Sequence, residues 1–170
     1  MSNTSTRDFR PYVLLLTALV IVLDRLSKIW IVKHIAHGAA ITIIPGVFRL
    51  SHVYNLGAAF SLFADSMSTQ GMRNVLIGFS IVAIIVVLGM IWRVARQPSS
   101  TAIALGLILG GAIGNVYDRI RFSYVVDFLE VKIYHYHWPD FNVADSCIVI
   151  GACLLLLEIF RNQPVEESSS

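Results

Sequence analysis

Charge is scarce in this chain. Only 14% of its 170 residues are Asp, Glu, Lys or Arg, while 56% are hydrophobic; soluble domains carry roughly 25% charged residues. That shortage excludes a large soluble domain and puts most of the chain in lipid. No Lys/Arg block is present and the formal net charge is only +2, so nothing in the charge points to a nucleic-acid partner. Cysteine is nearly absent too. Cys147 and Cys153 lie six apart in one apolar run, about 9 Å along a helix axis and too far to bridge. Both read as small apolar fillers that say nothing about redox compartment. A small-x-small cleavage site is missing after the N-terminal apolar stretch Tyr12–Leu23, where Asp24-Arg25-Leu26-Ser27-Lys28 follows instead. The stretch is therefore expected to stay as a first helix rather than leave as a signal peptide.

What is present is long apolar sequence. A bilayer core about 30 Å thick needs roughly 20 helical residues per crossing, and four spans fit, at about 11–33, 72–95, 101–119 and 141–160. The whole chain, 1–170, is expected to form one membrane domain. Gln97-Pro98-Ser99-Ser100 is a short polar turn that makes the second and third spans an antiparallel hairpin. Between the first and second spans, about 34–71, Ile41–Ile44 and Val47–Tyr54 read as two strands around Pro45-Gly46. Ala58–Ala64 reads as a brief interfacial helix, and the polar tail from Asn162 as disordered. Lys/Arg bias is nearly tied between the two faces; Arg7 and Arg10 ahead of the first span mildly favour termini inside.

The first span reaches crossing length only by absorbing Asp24, Arg25 and Lys28, each costing about 2.5–3.5 kcal/mol near a helix centre. Asp24 and Lys28 are an i, i+4 pair with the acid N-terminal, the favourable order for an ion pair. Such a pair either orients the helix or serves a site. In the third span Gly106, Gly110 and Gly114 form a small-residue stripe suited to close helix packing. A neighbouring stripe, Gly111, Asn115 and Arg119, ends in polar groups.

Two acids stand where spans meet one face: Asp127 and Asp145. Close carboxylates share a proton, so one can deprotonate water while the other protonates a scissile carbonyl. Neither a metal nor a cofactor is then needed. Asn142 followed by Asp145 is also a good helix start, with Asn as N-cap and the acid complementing the dipole. Asp127 can equally be a loop acid at the interface, and spacing alone leaves these readings open. Ser27-Lys28 fails as a serine/lysine dyad because adjacent helical residues point about 100° apart. His135-x-His137 near Asp140 is a weak metal signal; His34, His37 and His52 read as interfacial.

Five blocks in order resemble the bacterial lipoprotein signal peptidase family, also called signal peptidase II. They are Asp24-x-x-x-Lys28, the run from Tyr54 to Ser61, the run from Gly110 to Arg119, Val125-Val126-Asp127-Phe128, and the run from Phe141 to Ser146. The resemblance implies four transmembrane helices, cytoplasmic termini and a small extracytoplasmic β-cradle, in the bacterial inner membrane. It implies an aspartyl endopeptidase with Asp127 and Asp145 catalytic. Asp24, Lys28, Asn55, Gly57, Gly111, Asn115, Asp118, Arg119 and Asn142 match positions that line or support the site. The implied substrates are prolipoproteins bearing diacylglycerol on a cysteine, cut before that cysteine, with membrane lipids as the surroundings. A small four-helix transporter coupled through Asp24 or Glu158 is the competing reading, although about 38 residues spent on one loop, 34–71, argue against it. A non-catalytic assembly subunit has only the glycine stripe in its favour. A presenilin- or prepilin-type protease would need a Gly-x-Gly-Asp motif, which the chain lacks. If Asp145 sits in the first turn of the fourth helix, the dipole favours its ionised form, making it the base and Asp127 the acid.

Overall fold

The computed structural model describes residues 8–57 and 68–161. The expected helix at 58–64 and the tail from Asn162 lie outside these residues. Four helices run over Arg10–His34 (α1), Thr69–Val94 (α2), Ser100–Phe122 (α3) and Val143–Arg161 (α4). The molecule is an α-helical integral membrane protein with a small antiparallel sheet.

Local chemistry sets the helix ends. Pro11 in the first turn of α1 lacks the N–H that would go unpaired there. The hydroxyls of Ser68 and Ser99 accept from Gly71 N and Ala102 N, capping α2 and α3. α3 stops at Ser123, whose φ of 71° is left-handed.

α2, α3 and α4 are each long and apolar enough to cross a membrane by themselves. α1 is 25 residues long, but its charges need another explanation than hydropathy. They face inward: Lys28 is 0% exposed and Asp24 2%. The outer faces of the helices are apolar, with Phe79, Ile85, Trp92 and Leu157 among the side chains left to lipid.

α3 is the centre, packing against α1, α2 and α4. Its glycines make this possible. A Cβ at Gly110 would lie 2.7 Å from Val20 Cβ and 3.0 Å from Thr17 O of α1. One at Gly111 would lie 2.3 Å from Ala144 O of α4. The two stripes thus serve different neighbours, one bringing in α1 and the other α4. Thr17 Oγ1 donates to Gly106 O at 3.1 Å across the first interface.

The sheet draws on two distant parts of the chain. Strands Ala40–Ile44 (β1) and Phe48–Asn55 (β2) form the hairpin that the sequence pattern predicts, with Gly46 at φ 74° in its turn. β2 then pairs with Val125–Ile133 (β3), and β3 with Tyr136–His137 (β4), in the order β1-β2-β3-β4. Asp127 therefore stands inside a strand, opposite Val53, and not in a loop. The cradle extends well beyond 34–71. Ile31 of α1 and Ile35 just after it pack on Val126 and Phe128, fixing the sheet to the end of the bundle.

Gly110→Ala should lower the melting temperature in detergent, because an overpacked helix contact costs about 1–3 kcal/mol. Gly89→Ala, with nothing within 4 Å of its added carbon, should instead leave it unchanged or raise it slightly. Equal behaviour of the two variants would refute close packing at Gly110.

Candidate active site

The two aspartates are set by different elements. Asp127 comes from β3 and is buried, 2% exposed. Asp145 comes from the first turn of α4. Asn142 joins them. Its side-chain Nδ2 donates to Asp127 Oδ1 at 2.7 Å, and its Oδ1 accepts from Asp145 N at 2.9 Å. Asp145 Oδ2 in turn accepts from Asn142 N at 3.3 Å, closing a reciprocal cap at the start of α4. The helix-cap reading and the paired-acid reading thus describe one arrangement.

Three amides point at the pair, and each is oriented from behind by a group that can only donate. Asn55 Oδ1 accepts from Gly57 N at 2.8 Å, leaving its Nδ2 to donate to Asp127 Oδ2 at 2.8 Å. Asn115 Oδ1 accepts from Lys28 Nζ at 3.3 Å, leaving its Nδ2 to donate to Asp145 Oδ1 at 2.7 Å. Asn142 is held likewise by Asp145 N. An ammonium or backbone N–H offers no acceptor, so the amide orientations are chemically determined. Gly57 has φ 104°, a backbone conformation that side chains disfavour.

Lys28 is the next layer. Its Nζ lies 2.8 Å from Asp24 Oδ2 and 2.7 Å from Asp118 Oδ2, with all three side chains buried. Arg25 Nη1 approaches Asp118 at 3.5 Å, so two cations meet two anions. Asp24 Oδ1 also accepts from Ala144 N at 3.0 Å, tying α1 to the start of α4. Asp118 is linked toward the acids through Lys28, which bonds Asn115. Arg119 Nη1 bonds Asn115 O at 3.3 Å, and its charge is felt by Asp145, then Asp127 and Asp118. Gly111 touches neither acid; its part is to admit the α4 backbone.

The Asp127 carboxyl is pushed up to about 6, chiefly by burial and also by the charge of Asp145. The Asn55 and Asn142 hydrogen bonds and Lys28 pull it the other way without overcoming burial. Among the described residues no group of three or more His, Cys, Asp or Glu side chains is placed to hold a metal. His137 instead lies 3.5 Å from Glu130, and Ser51 Oγ donates to Asp140 at 2.7 Å. His52 is buried, with its Nδ1 2.7 Å from Ile35 O. Ser27 Oγ bonds Asp24 O, and Lys28 has no free lone pair to offer it. The Arg49–Glu130 pair and the Ser51–Asp140 bond, which brace β2 against the later segment, have no signature in residue spacing.

Known proteins resemble this chain in sequence and in fold. The family model described as signal peptidase (SPase) II matches residues 16–161. A lipoprotein signal peptidase of Pseudomonas fluorescens Pf-5 is 39% identical, over 99% of this chain and 98% of its own. One from Solibacter usitatus is 41% identical, over 85% of this chain and 87% of its own. A solved bacterial membrane enzyme superposes with TM-score 0.83 at 25% identity, covering 95% of this chain and 100% of that one.

Lys28→Met should destabilise the fold by about 3–5 kcal/mol, since it strands two buried carboxylates. Adding Asp24→Asn and Asp118→Asn should restore much of that loss, measured as folded yield and melting temperature in detergent. A single variant as stable as the parent would show that the ion cluster is not what holds α1 to α3.

Proposed function

The chain belongs to the signal peptidase II family, and on that premise we propose that Asp127 and Asp145 are its catalytic pair. The protein is a membrane-embedded protease that removes signal peptides from prolipoproteins. The observation that carries the assignment is Asn142, whose one side chain bonds Asp127 and caps the turn that bears Asp145.

The raised Asp127 carboxyl suits the acid and Asp145, at a helix N-terminus, the base. Asp145 takes a proton from water as its oxygen attacks the scissile carbonyl, while Asp127 gives its proton to the carbonyl oxygen. Collapse of the tetrahedral intermediate returns a proton to the leaving amine, and the acid and carboxylate roles are restored for the next turnover. Arg119 balances negative charge at the pair. Asn55, Asn115 and Asn142 are positioning residues that hold both carboxylates. Asp24, Lys28 and Asp118 tie α1 to α3 and to the start of α4, which carries Asp145, and Gly57 and Gly111 allow the close approaches. The bond cut is the one before a diacylglyceryl-modified cysteine, in the bacterial inner membrane, with the site on the extracytoplasmic side. The whole chain acts as one membrane domain and needs no cofactor. Proton-coupled transport is not favoured, because Asp24 is already held by Lys28 and Ala144 N.

Asp127→Asn and Asp145→Asn should each reduce cleavage of a diacylglyceryl-modified prolipoprotein by at least a thousandfold while keeping the parent's melting behaviour. Cleavage at the parental rate by either folded variant would sink the dyad. The pH profile gives a second check. An acid held near 6 is protonated below that pH, so kcat/KM should fall on the alkaline side with an apparent pKa near 6. The Asn55 bond lowers the Asp127 value, so Asn55→Ala should move that limb to higher pH. A shift to lower pH would contradict Asp127 as the acid.

A further inference from the structure

The two turns of the sheet lie at the same end of it. Gly46 turns β1 into β2, and Tyr134, with φ 54°, turns β3 toward β4. Lys132 N donates to Val47 O at 2.8 Å, which locks the first turn onto β3. Beside this junction opens a cavity of about 340 Å³ whose walls include Thr42, Val47, Arg49, Glu130, Lys132 and His137, a size within the roughly 300–1,000 Å³ of small-molecule sites. We propose that the cavity holds the phosphate of an anionic phospholipid headgroup, with the apolar turns next to it resting in the bilayer surface.

Strand register assembles the polar wall. Thr42 pairs with Arg49, Arg49 with Glu130, and Lys132 with His137. Glu130 and Lys132 stand two apart on β3, so side chains from all four strands share one face. Within that set the acid is the enclosed member. Glu130 is 8% exposed, whereas Arg49 and His137 are 48% and 55% exposed. The Glu130 carboxylate is already occupied, by Arg49 Nε at 2.9 Å, by Arg49 Nη2, and by His137 Nδ1 at 3.5 Å. These contacts leave the Nη1 edge of the guanidinium to donate outward. Among the described residues Lys132 makes no ion pair. Asp140, whose charge also reaches Arg49, accepts from Ser51 and does not line the cavity. An entering group therefore meets basic side chains first, one of them uncompensated. That order of charges opposes a metal cation and favours a phosphate oxyanion.

The surroundings of the cavity identify where the phosphate comes from. Ile44 and Val47 flank the first turn, Ile133 and Tyr134 the second, and all four are exposed, Tyr134 by 92%. Turns that face water are built from polar residues and glycine, and a cluster of exposed apolar side chains marks a contact surface. The chain has helices that can cross a bilayer, and the sheet is fixed to the end of that bundle. Tyr is favoured at headgroup level. A free phosphate ion would draw nothing from an apolar rim. A phospholipid carries its phosphate at the boundary between acyl chains and water, where Val47 adjoins Arg49 and Lys132.

The test compares backbone hydrogen exchange of the full-length protein in phosphatidylcholine vesicles with that in vesicles of equal parts phosphatidylcholine and phosphatidylglycerol. Peptides spanning 131–137 should exchange at least about threefold more slowly with phosphatidylglycerol present, while the middle of α2 should be unaffected. Lys132→Gln combined with His137→Gln should abolish the difference and keep the parent's melting temperature, since both side chains are exposed. Lys132→Arg should retain it. Equal exchange in the two kinds of vesicle, or full protection in the double variant, would overturn the proposal. The same protection from inorganic phosphate in detergent at matched ionic strength would also overturn it, by showing a site for the free ion. None of these measurements involves cleavage, so their outcome is independent of the catalytic pair.

Discussion

A buried lysine is costly in any protein and more so in one surrounded by lipid, and the placement of Lys28 organises this bundle around that cost. Fully enclosed, its ammonium meets Asp24 on its own helix and Asp118 on α3, and donates a third bond to Asn115. Each of those partners is committed elsewhere as well. Asp24 caps the backbone of α4, Asp118 takes Arg25, and Asn115 turns its amide toward Asp145. One cation thereby joins three helices and sets the direction of a hydrogen bond at the candidate site. Removing it does more than open a cavity, because it leaves carboxylates with no solvent to relax into.

The same economy recurs at the acids. Every amide that reaches a carboxylate is anchored from behind by an ammonium or backbone N–H, so the polar network is directional. The three anchors come from three elements: α1, the residues after β2, and α4. The geometry at the acids thus depends on the bundle and the sheet being assembled together. The glycines complete the picture from the other side, since Gly110 and Gly111 let α1 and α4 come close enough for those bonds to form. Next to this rigid polar centre lies a cavity lined by Trp138, Phe141, Asp145, Ser146, Val149 and Ile150.

Much of this was legible in the amino-acid sequence. Hydropathy and length locate four helices, the Asp24–Lys28 spacing announces an ion pair, and Asn142 with Asp145 announces a helix start; the ordered family-like blocks single out the acids. The run Val125–Ile133 was the main loss. It is rich in Val, Phe and Ile, which is a strand signal, but Asp127 and Glu130 within it weaken the pattern, and its partner β2 lies some 70 residues earlier. Helices are declared by local periodicity. A strand of this kind is declared by its neighbour, which sequence does not display.

What the sequence determined by itself is therefore local or compositional: membrane residence, helix number, the first hairpin and the helix start at Asn142. Tertiary structure alone decided that Asp127 stands in a strand, that Asn142 links it to Asp145, that Asp118 acts through Lys28, and that a cavity bordered by Trp138 and Ile150 opens beside the pair. The reason is the range of the interactions. Helix formation and capping are settled within about four residues, whereas amide orientation, ion-pair choice and cavity shape depend on groups brought together from opposite ends of the chain.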